Sequence, residues 1–125
     1  MTGRGILASE EYLSVLRDHL TADKEKFKRY RYSLSDYTAV TKVEVSADDV
    51  RLIAKLSVYA SNLNPELVVA IVADRDVSYG LSRLWQLSTD ESEWEILVFR
   101  SRDDAEAWLR ERCRERFGID DLTLD

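Results

Sequence analysis

The chain has 125 residues, of which 45% are hydrophobic and 34% are charged, and both values are ordinary for one soluble globular domain. Its formal net charge of -6 argues against strong nonspecific binding of nucleic acid, which requires a basic surface. No apolar run approaches the roughly 20 residues that a membrane-spanning helix needs. The lone cysteine and a start without an apolar signal segment favour a reducing compartment. We therefore expect a cytoplasmic protein that forms one domain over residues 1–125.

The first third of the chain predicts one helix and a half-exposed strand. Ser9 is a suitable N-cap, and apolar side chains follow it at helical spacing, namely Tyr12, Leu13, Leu16 and Leu20. A short strand over residues 5–8 would precede this helix. Residues 28–34 alternate aromatic or apolar side chains with polar ones, a pattern typical of an edge or half-exposed strand. Residues 36–45 are rich in threonine and valine and predict a short strand or a loop.

The middle of the chain predicts a helix followed by a buried strand. Ser46 opens the helix with a capping box in which Asp49 takes the usual place of glutamate, and Asn64 before Pro65 ends it. The apolar face of this helix is a narrow stripe of Val50, Ile53, Ala54 and Ser57, which is widened by Leu52, Leu56, Tyr59, Ala60 and Leu63. Residues 67–73 are all apolar, which is typical of a central parallel strand buried on both faces.

The last third repeats the alternation of helix and strand. Asp74 or Asp76 is the expected N-cap of a third helix, and residues 94–99 predict another strand. Ser101 begins a fourth helix, for which Gly118 is a suitable end. The β-α-β-α order predicts parallel strands with right-handed crossovers, and therefore an α/β fold.

Four segments of this region carry a family resemblance: the strand VVAIVAD, the helix segment GLSR, the strand EILVFR and the helix start DDAEAWL. Over residues 69–109 the chain resembles the SpoIIAA-like proteins of the STAS and Sec14-like group. The resemblance implies a STAS-like fold, with about four helices packed on a small, mixed and mostly parallel sheet. It also implies a regulatory or partner-binding protein rather than an enzyme.

The resemblance also makes Ser46 a phosphoacceptor candidate. Some anti-anti-sigma relatives accept a phosphate on a serine at the start of the second main helix, and Ser46 occupies the comparable place. The Asp-Ser-Ser-Gly type of motif is replaced here by EVSA at residues 44–47. A helix N-terminus stabilises added negative charge, but Asp48 and Asp49 oppose it. An ordinary N-cap serine is therefore the favoured alternative.

Polar and charged residues follow the predicted strands at the place where open α/β sheets bind ligands. Arg100 follows one strand end, and Arg83 lies on the helix before that strand. Asp74, Ser78 and Tyr79 follow the neighbouring strand end. These five are ligand-binding candidates for a small anion or a carboxylate, and surface ion pairing with nearby acids is the favoured alternative.

The segment at residues 24–32 mixes basic and aromatic side chains, a combination that binds single-stranded nucleic acid or another polyanion. Its basic residues are Lys24, Lys26, Lys28, Arg29 and Arg31. Because the chain as a whole is acidic, protection of an edge strand by these charges is the favoured interpretation. Nucleic acid is therefore not expected as a partner.

No catalytic or metal-binding spacing is recognisable in the sequence. His19 is the only histidine and has no cysteine near it, so we do not expect it to bind a metal or to act in catalysis. Cys113 lies between two arginines, but two glutamates offset their charge and no histidine is close in sequence. We predict no catalytic residue, no metal and no cofactor.

Three functions from different classes fit these residues. The first is a non-enzymatic STAS-like regulatory or protein-interaction module that binds a protein partner. The second is a Sec14-like carrier of a small apolar ligand or an anion, and the third is an enzyme that uses the arginines near the strand ends. A homodimer is a further hypothesis, in which Leu122 and Leu124 of the tail add a strand to a neighbouring copy.

Overall fold

Four parallel strands form one sheet in the computed structural model, which describes residues 2–8 and 24–120 together with residues 122 and 124. The strands are β1 (Thr2–Ala8), β2 (Tyr32–Glu44), β3 (Val68–Val72) and β4 (Glu95–Phe99). They lie side by side in chain order, and each pairing between neighbours is parallel. The prediction of an α/β fold is confirmed over these residues.

Three long helices and one short helix accompany the sheet in this part of the chain. They are α1 (Lys24–Phe27), α2 (Ala47–Leu63), α3 (Asp76–Ser88) and α4 (Arg102–Phe117). The last three correspond to predicted helices, whereas the helix predicted to begin at Ser9 falls outside the described residues. None of the described helices is both long and apolar enough to cross a membrane.

Side-chain caps explain where α2 and α4 begin, and a glycine explains where α4 ends. The Ser46 hydroxyl accepts from the Asp49 backbone N–H at 3.1 Å, and the Asp49 carboxylate accepts from the Ser46 N–H at 3.3 Å. At the start of α4, the Ser101 hydroxyl accepts from the Asp104 N–H. The helix ends at Gly118, whose φ of 69° lies in the left-handed region that glycine adopts without strain. These limits agree with those predicted from the sequence.

The sheet carries a separate apolar core on each face. Successive β3 residues point to opposite faces, and all five are buried, as predicted for a central strand. On the α4 face, helix α4 covers a buried cluster of Leu34, Val68, Ala70, Val72, Ala105, Leu109, Cys113 and Leu122. On the α3 face, where α3 contributes Trp85, the buried residues are Tyr37, Val40, Leu67, Val69 and Ile71.

Strand β2 differs from the sequence prediction in length and in position. It runs without interruption over Tyr32–Glu44, whereas the pattern predicts a strand at residues 28–34 and a strand or loop at residues 36–45. It also lies between β1 and β3, so of the two predicted alternatives, an edge or a half-exposed strand, the edge position is wrong among the described strands. The strand continues through Asp36 because that carboxylate is buried and paired with Arg102 of α4.

The tail packs onto its own chain at Leu122. This side chain is buried in the core of the α4 face, and its carbonyl accepts from Arg110 Nη1 at 2.7 Å. Leu124 packs against the same cluster. Both side chains are thus used within the chain, and the addition of a strand by this tail to a neighbouring copy stays a prediction.

Candidate functional site

The carboxyl end of the sheet brings together charged residues from three neighbouring strands. The register places Asp36 beside Val72, and Val72 beside Phe99, the last residue of β4. Asp74 and Arg100 follow directly after β3 and β4. This is the end at which open α/β sheets hold ligands, and it is therefore the first place to search for a site.

Arg100 is engaged by its own neighbours at this end. Its Nη1 lies 2.9 Å from Asp76 Oδ1 and donates to the Asp74 carbonyl at 3.2 Å. Its guanidinium carbon lies 4.0 Å from the centre of the Tyr79 ring, a cation–π contact. Arg100 is half exposed and Asp76 almost fully exposed, so the pair contributes little to stability. The arrangement therefore resembles a surface ion pair more than a preorganised anion-binding site.

Two of the predicted ligand-binding residues make hydrogen bonds that do not involve Arg100. Ser78 is buried, and its hydroxyl donates to the Arg75 carbonyl at 3.3 Å at the start of α3. Arg83 is exposed two turns along the same helix, where its Nη1 donates to Gln86 Oε1 at 2.6 Å. The other three candidates gather at the carboxyl end of the sheet.

A second ionic cluster lies at the same end, on the α4 face. The Oδ1 of buried Asp36 accepts from the Thr38 backbone N–H at 2.9 Å and from its hydroxyl at 2.7 Å. The Oδ2 of Asp36 accepts from Arg102 Nη1 at 2.9 Å. Arg102 lies 3.5 Å from Glu106, which lies 3.6 Å from Arg110. Sequence analysis missed this cluster because 66 residues separate Asp36 from Arg102.

The contacts of Asp36 keep its carboxyl group ionised. Burial alone raises the pKa of this group, but the hydrogen bonds from Thr38 and Arg102 outweigh burial and hold the pKa below its ordinary 3.8. A catalytic acid needs the opposite shift, toward the working pH. The cluster therefore fits an ionic lock between β2 and α4 better than a proton-transfer site.

Replacing Asp36 by asparagine should make protein stability less dependent on acid pH. Because the folded pKa lies below the unfolded value, ionised Asp36 stabilises the fold above pH 3.8, and this contribution is lost as the pH falls through 3.8 toward the folded pKa. Urea unfolding at a series of pH values should show that wild type has a higher free energy of unfolding than Asp36→Asn, and that this difference becomes smaller in acid. The exposed Asp48→Asn variant is the matched control. A gap of constant size at every pH would contradict this assignment.

Ser46 is exposed at the N-terminus of α2, but the helix cap already uses its hydroxyl. A phosphate on this oxygen would disturb the bond from the Asp49 N–H and would meet the carboxylates of Asp48 and Asp49. The contacts favour an ordinary N-cap. Phosphorylation of Ser46 stays a prediction, and the intact mass of protein isolated from its source cells would test it.

One aromatic ring of the basic and aromatic segment, that of Phe27, lies in the interior of the fold. Phe27 is buried and makes edge-on contacts with Tyr30 and Trp94, whose ring centres lie 6.1 and 6.4 Å away. Arg31 donates to the Tyr30 carbonyl at 2.9 Å and pairs with Glu66 at 3.3 Å. Stacking of a nucleic-acid base requires an open aromatic face, so these contacts favour a structural role for the segment.

The remaining chemical candidates are a histidine and a cysteine. His19 falls outside the described residues. Cys113 is fully buried, and burial raises the pKa of its thiol despite the nearby Arg116 and Arg112, which favours an unreactive side chain. In the part of the chain that the structure describes, no three His, Cys, Asp or Glu side chains are grouped so as to hold a metal ion.

An apolar stripe runs along the solvent side of α2. It consists of Leu52, Leu56, Tyr59 and Leu63, and we call it the α2 surface. Leu52 is 48% exposed and Tyr59 is 53% exposed, while the other two are partly exposed. The sequence pattern adds these four residues to the apolar face, whereas the residues that α2 buries are the predicted narrow stripe (Val50, Ile53, Ala54 and Ser57) together with Ala60 and Ser61. The unusual width of the apolar face was the signal that one part of it lies in solvent.

Comparisons of the chain with protein-family models, with curated proteins and with solved structures found no match. A functional assignment therefore depends on the contacts and exposed surfaces of the described residues.

Proposed function

We propose that this protein is a non-enzymatic, STAS-like interaction module, which binds an amphipathic helix of a partner protein on the α2 surface. One observation carries the proposal, namely the row of apolar side chains in which Leu52 and Tyr59 are about half exposed. Single apolar residues are common on protein surfaces and need no explanation. A continuous apolar stripe on a folded chain is typical of an interaction site.

The spacing of the α2 surface specifies the kind of partner. Its residues are separated by four, three and four positions, which is the alternating spacing of the a and d positions in a coiled coil. Such a seam accepts the apolar side chains of a second helix that lies along it. Lys55 and Asn62 flank the stripe, and both are exposed, so the stripe is bordered by solvent-facing side chains that leave it accessible. The partner segment is therefore an amphipathic helix.

The charged residues at the carboxyl end of the sheet support a non-enzymatic role. Arg100 is paired with Asp76, and Arg102 with Asp36, at 2.9 Å in both cases. An arginine that binds a substrate anion would have to give up these contacts first. The enzyme alternative and the anion-carrier alternative depend on Arg100 and are less well supported for this reason.

The STAS-like part of the proposal is supported by the order of the elements. The segments that carry the resemblance, VVAIVAD and EILVFR, contain β3 and β4, and DDAEAWL lies in α4. Strand and helix alternate from β2 to α4. A regulatory role through partner binding is what the resemblance implies, and the α2 surface offers a place for that partner.

Replacing Leu52 and Tyr59 together by glutamate should abolish partner binding and leave the fold intact. Both side chains are half exposed, so the free energy of unfolding should change by no more than about 1 kcal/mol. Proteins captured from a lysate of the source cells would be identified by mass spectrometry, and the candidate partner would be purified and titrated. We expect its affinity for the double variant to be at least about tenfold lower.

The matched control places the same charges on α3, at Val77→Glu and Leu87→Glu, where both side chains are 63% exposed. This control should bind the partner as wild type does. Equal binding by wild type and both double variants would refute the α2 surface as the docking site, and so would equal loss in both variants.

A further inference from the structure

Strand β4 lies at an edge of the described sheet and pairs with β3 on one side. The Glu95 N–H donates to the Leu67 carbonyl at 3.2 Å, and the Phe99 carbonyl accepts from the Ala73 N–H at 2.8 Å. In a parallel pair, alternate residues bond to the neighbouring strand. The backbone groups of Ile96 and Val98 therefore point away from β3, toward the open edge.

One group on this edge is already occupied by a side chain of α3. Gln86 Nε2 donates to the Ile96 carbonyl at 2.7 Å, and Gln86 is itself held by Arg83 Nη1 at 2.6 Å. No described residue bonds to the outward N–H and C=O of Val98. The open part of the edge therefore includes, besides the outward N–H of Ile96, one donor and one acceptor on the same residue, Val98, which is what an antiparallel strand pairs with.

The side chains of β4 do little to block such pairing. Natural proteins protect sheet edges with charged residues, and the lysines and arginines of this chain lie elsewhere than on β4. The only charged residue of β4 is Glu95, which is held by Arg112 at 2.8 Å and by Arg116 at 3.3 Å on the α4 face. Leu97 lies on that same face and is 38% exposed. The carboxyl-terminal half of β4 is thus apolar and open.

We propose that β4 pairs antiparallel with β4 of a second copy of this chain, with the two-fold axis at Val98. The two Val98 residues then exchange both of their outward hydrogen bonds, and Leu97 of each copy lies opposite Phe99 of the other. The same axis places Ile96 opposite Arg100. An axis at Leu97 would instead direct each Val98 N–H to an Ile96 carbonyl, which Gln86 occupies, so the Gln86 contact favours the axis at Val98. Glu95 faces Ser101 in this register, and no like charges oppose each other along the strand.

A second copy is the occupant because the edge is complementary to itself. With a two-fold axis at Val98, the N–H of each copy donates to the Val98 carbonyl of the other copy, which gives two identical hydrogen bonds. Two-fold symmetry also limits the assembly to a dimer. The two sheets join into one, and the exposed part of Leu97 becomes buried. The interface lies on β4 and not on α2, so it leaves the α2 surface free for a partner and stands independently of the proposed function.

Replacing Leu97 by lysine should convert the dimer to a monomer. A lysine on an edge strand is how natural sheets prevent edge-to-edge pairing, and the symmetry places this change in the interface twice. Sedimentation velocity over a concentration series should give a dissociation constant at least about tenfold higher than that of wild type. Leu52→Lys, the same change at an exposed leucine of α2, is the matched control and should remain dimeric. Circular dichroism would confirm that both variants are folded.

A cross-link tests the register itself. Residues that share a hydrogen-bonded antiparallel pair have Cα atoms about 5.5 Å apart, which is within the range of a disulfide. Mild oxidation of Val98→Cys should therefore give a covalent dimer, whereas Val77→Cys on α3 should not. Cys113 is buried and does not compete. A wild-type protein that stays monomeric up to about 1 mM, a dimer that persists in Leu97→Lys, or the absence of a cross-link at residue 98 would each overturn the proposal.

Discussion

Replacing Leu109 by alanine should lower the free energy of unfolding by about 2–5 kcal/mol, the largest effect that we expect from one substitution. Leu109 lies on α4, is fully buried, and belongs to the cluster that includes Val68, Ala70 and Val72 of β3. Alanine would leave a cavity between helix and sheet. Strand β3 is held by a neighbouring strand on each side, so it has little freedom to move and fill that cavity.

Chemical unfolding followed by circular dichroism measures this change. The matched control is Leu87→Ala, which removes the same atoms from an exposed position on α3 and should change the free energy of unfolding by less than about 0.5 kcal/mol. Similar losses in the two variants would mean that α4 does not cover the sheet as described.

The second large effect is expected at Asn64, where alanine should cost about 2–3 kcal/mol. The Asn64 amide donates to the Phe27 carbonyl at 2.9 Å and to the Tyr30 carbonyl at 2.7 Å, and its Oδ1 accepts from the Glu66 N–H at 3.2 Å. Asn64 is buried, and each of these bonds is worth about 1 kcal/mol. Its side chain therefore ties the segment before β2 to the turn between α2 and β3.

The control for Asn64 is Asn62→Ala, at an exposed position in the last turn of α2, just before Asn64. Alanine favours helix formation, so this variant should be as stable as wild type or slightly more stable. Thermal and urea unfolding of wild type, Asn64→Ala and Asn62→Ala would measure the difference in stability. If Asn64→Ala were as stable as Asn62→Ala, the buried amide would have no role in joining the two segments.

Sequence reasoning mostly succeeded where the structure depends on neighbours in the chain, although the predicted N-cap of α3 at Asp74 or Asp76 is wrong, since Arg75 takes that position without a side-chain cap. Ser46 and Ser101 begin helices because their hydroxyls accept from an N–H three residues later, and Gly118 ends α4 because it adopts a positive φ. The apolar run of β3 indicates burial on both faces, and this is what the sheet provides. These signals lie within a few residues of the element that they define.

It failed where the structure depends on residues that are far apart in the chain. Asp36 looks like a strand breaker until Arg102 of α4 is brought beside it. Asn64 reads as a helix stop, and nothing in the sequence around it shows that its side chain binds residues 37 and 34 positions earlier. Strand β2 was divided in the prediction for the same reason, since its continuity depends on pairing with β1 and β3.

In the candidate site, too, some residues were placed correctly from the sequence and others were not. Residue order places Arg100 and Asp74 at the carboxyl ends of neighbouring strands, and the structure brings them into contact there. Arg83 was grouped with them because it lies nearby in the sequence, but α3 carries it two turns away from the start of the helix. Helical periodicity identified the apolar residues of α2, yet periodicity alone does not say whether a stripe is covered.

The arrangement of the sheet has a consequence for a chain that is still being synthesised. Because the strands lie in chain order, each strand finds its partner already made and can dock as it leaves the ribosome. The α4 face is different, because α4 follows all four strands in the chain and only then covers Val68, Ala70 and Val72. During translation the described residues that α4 covers therefore remain without this helix after the strands have been made, and this interval is when a chaperone would protect the nascent chain from aggregation.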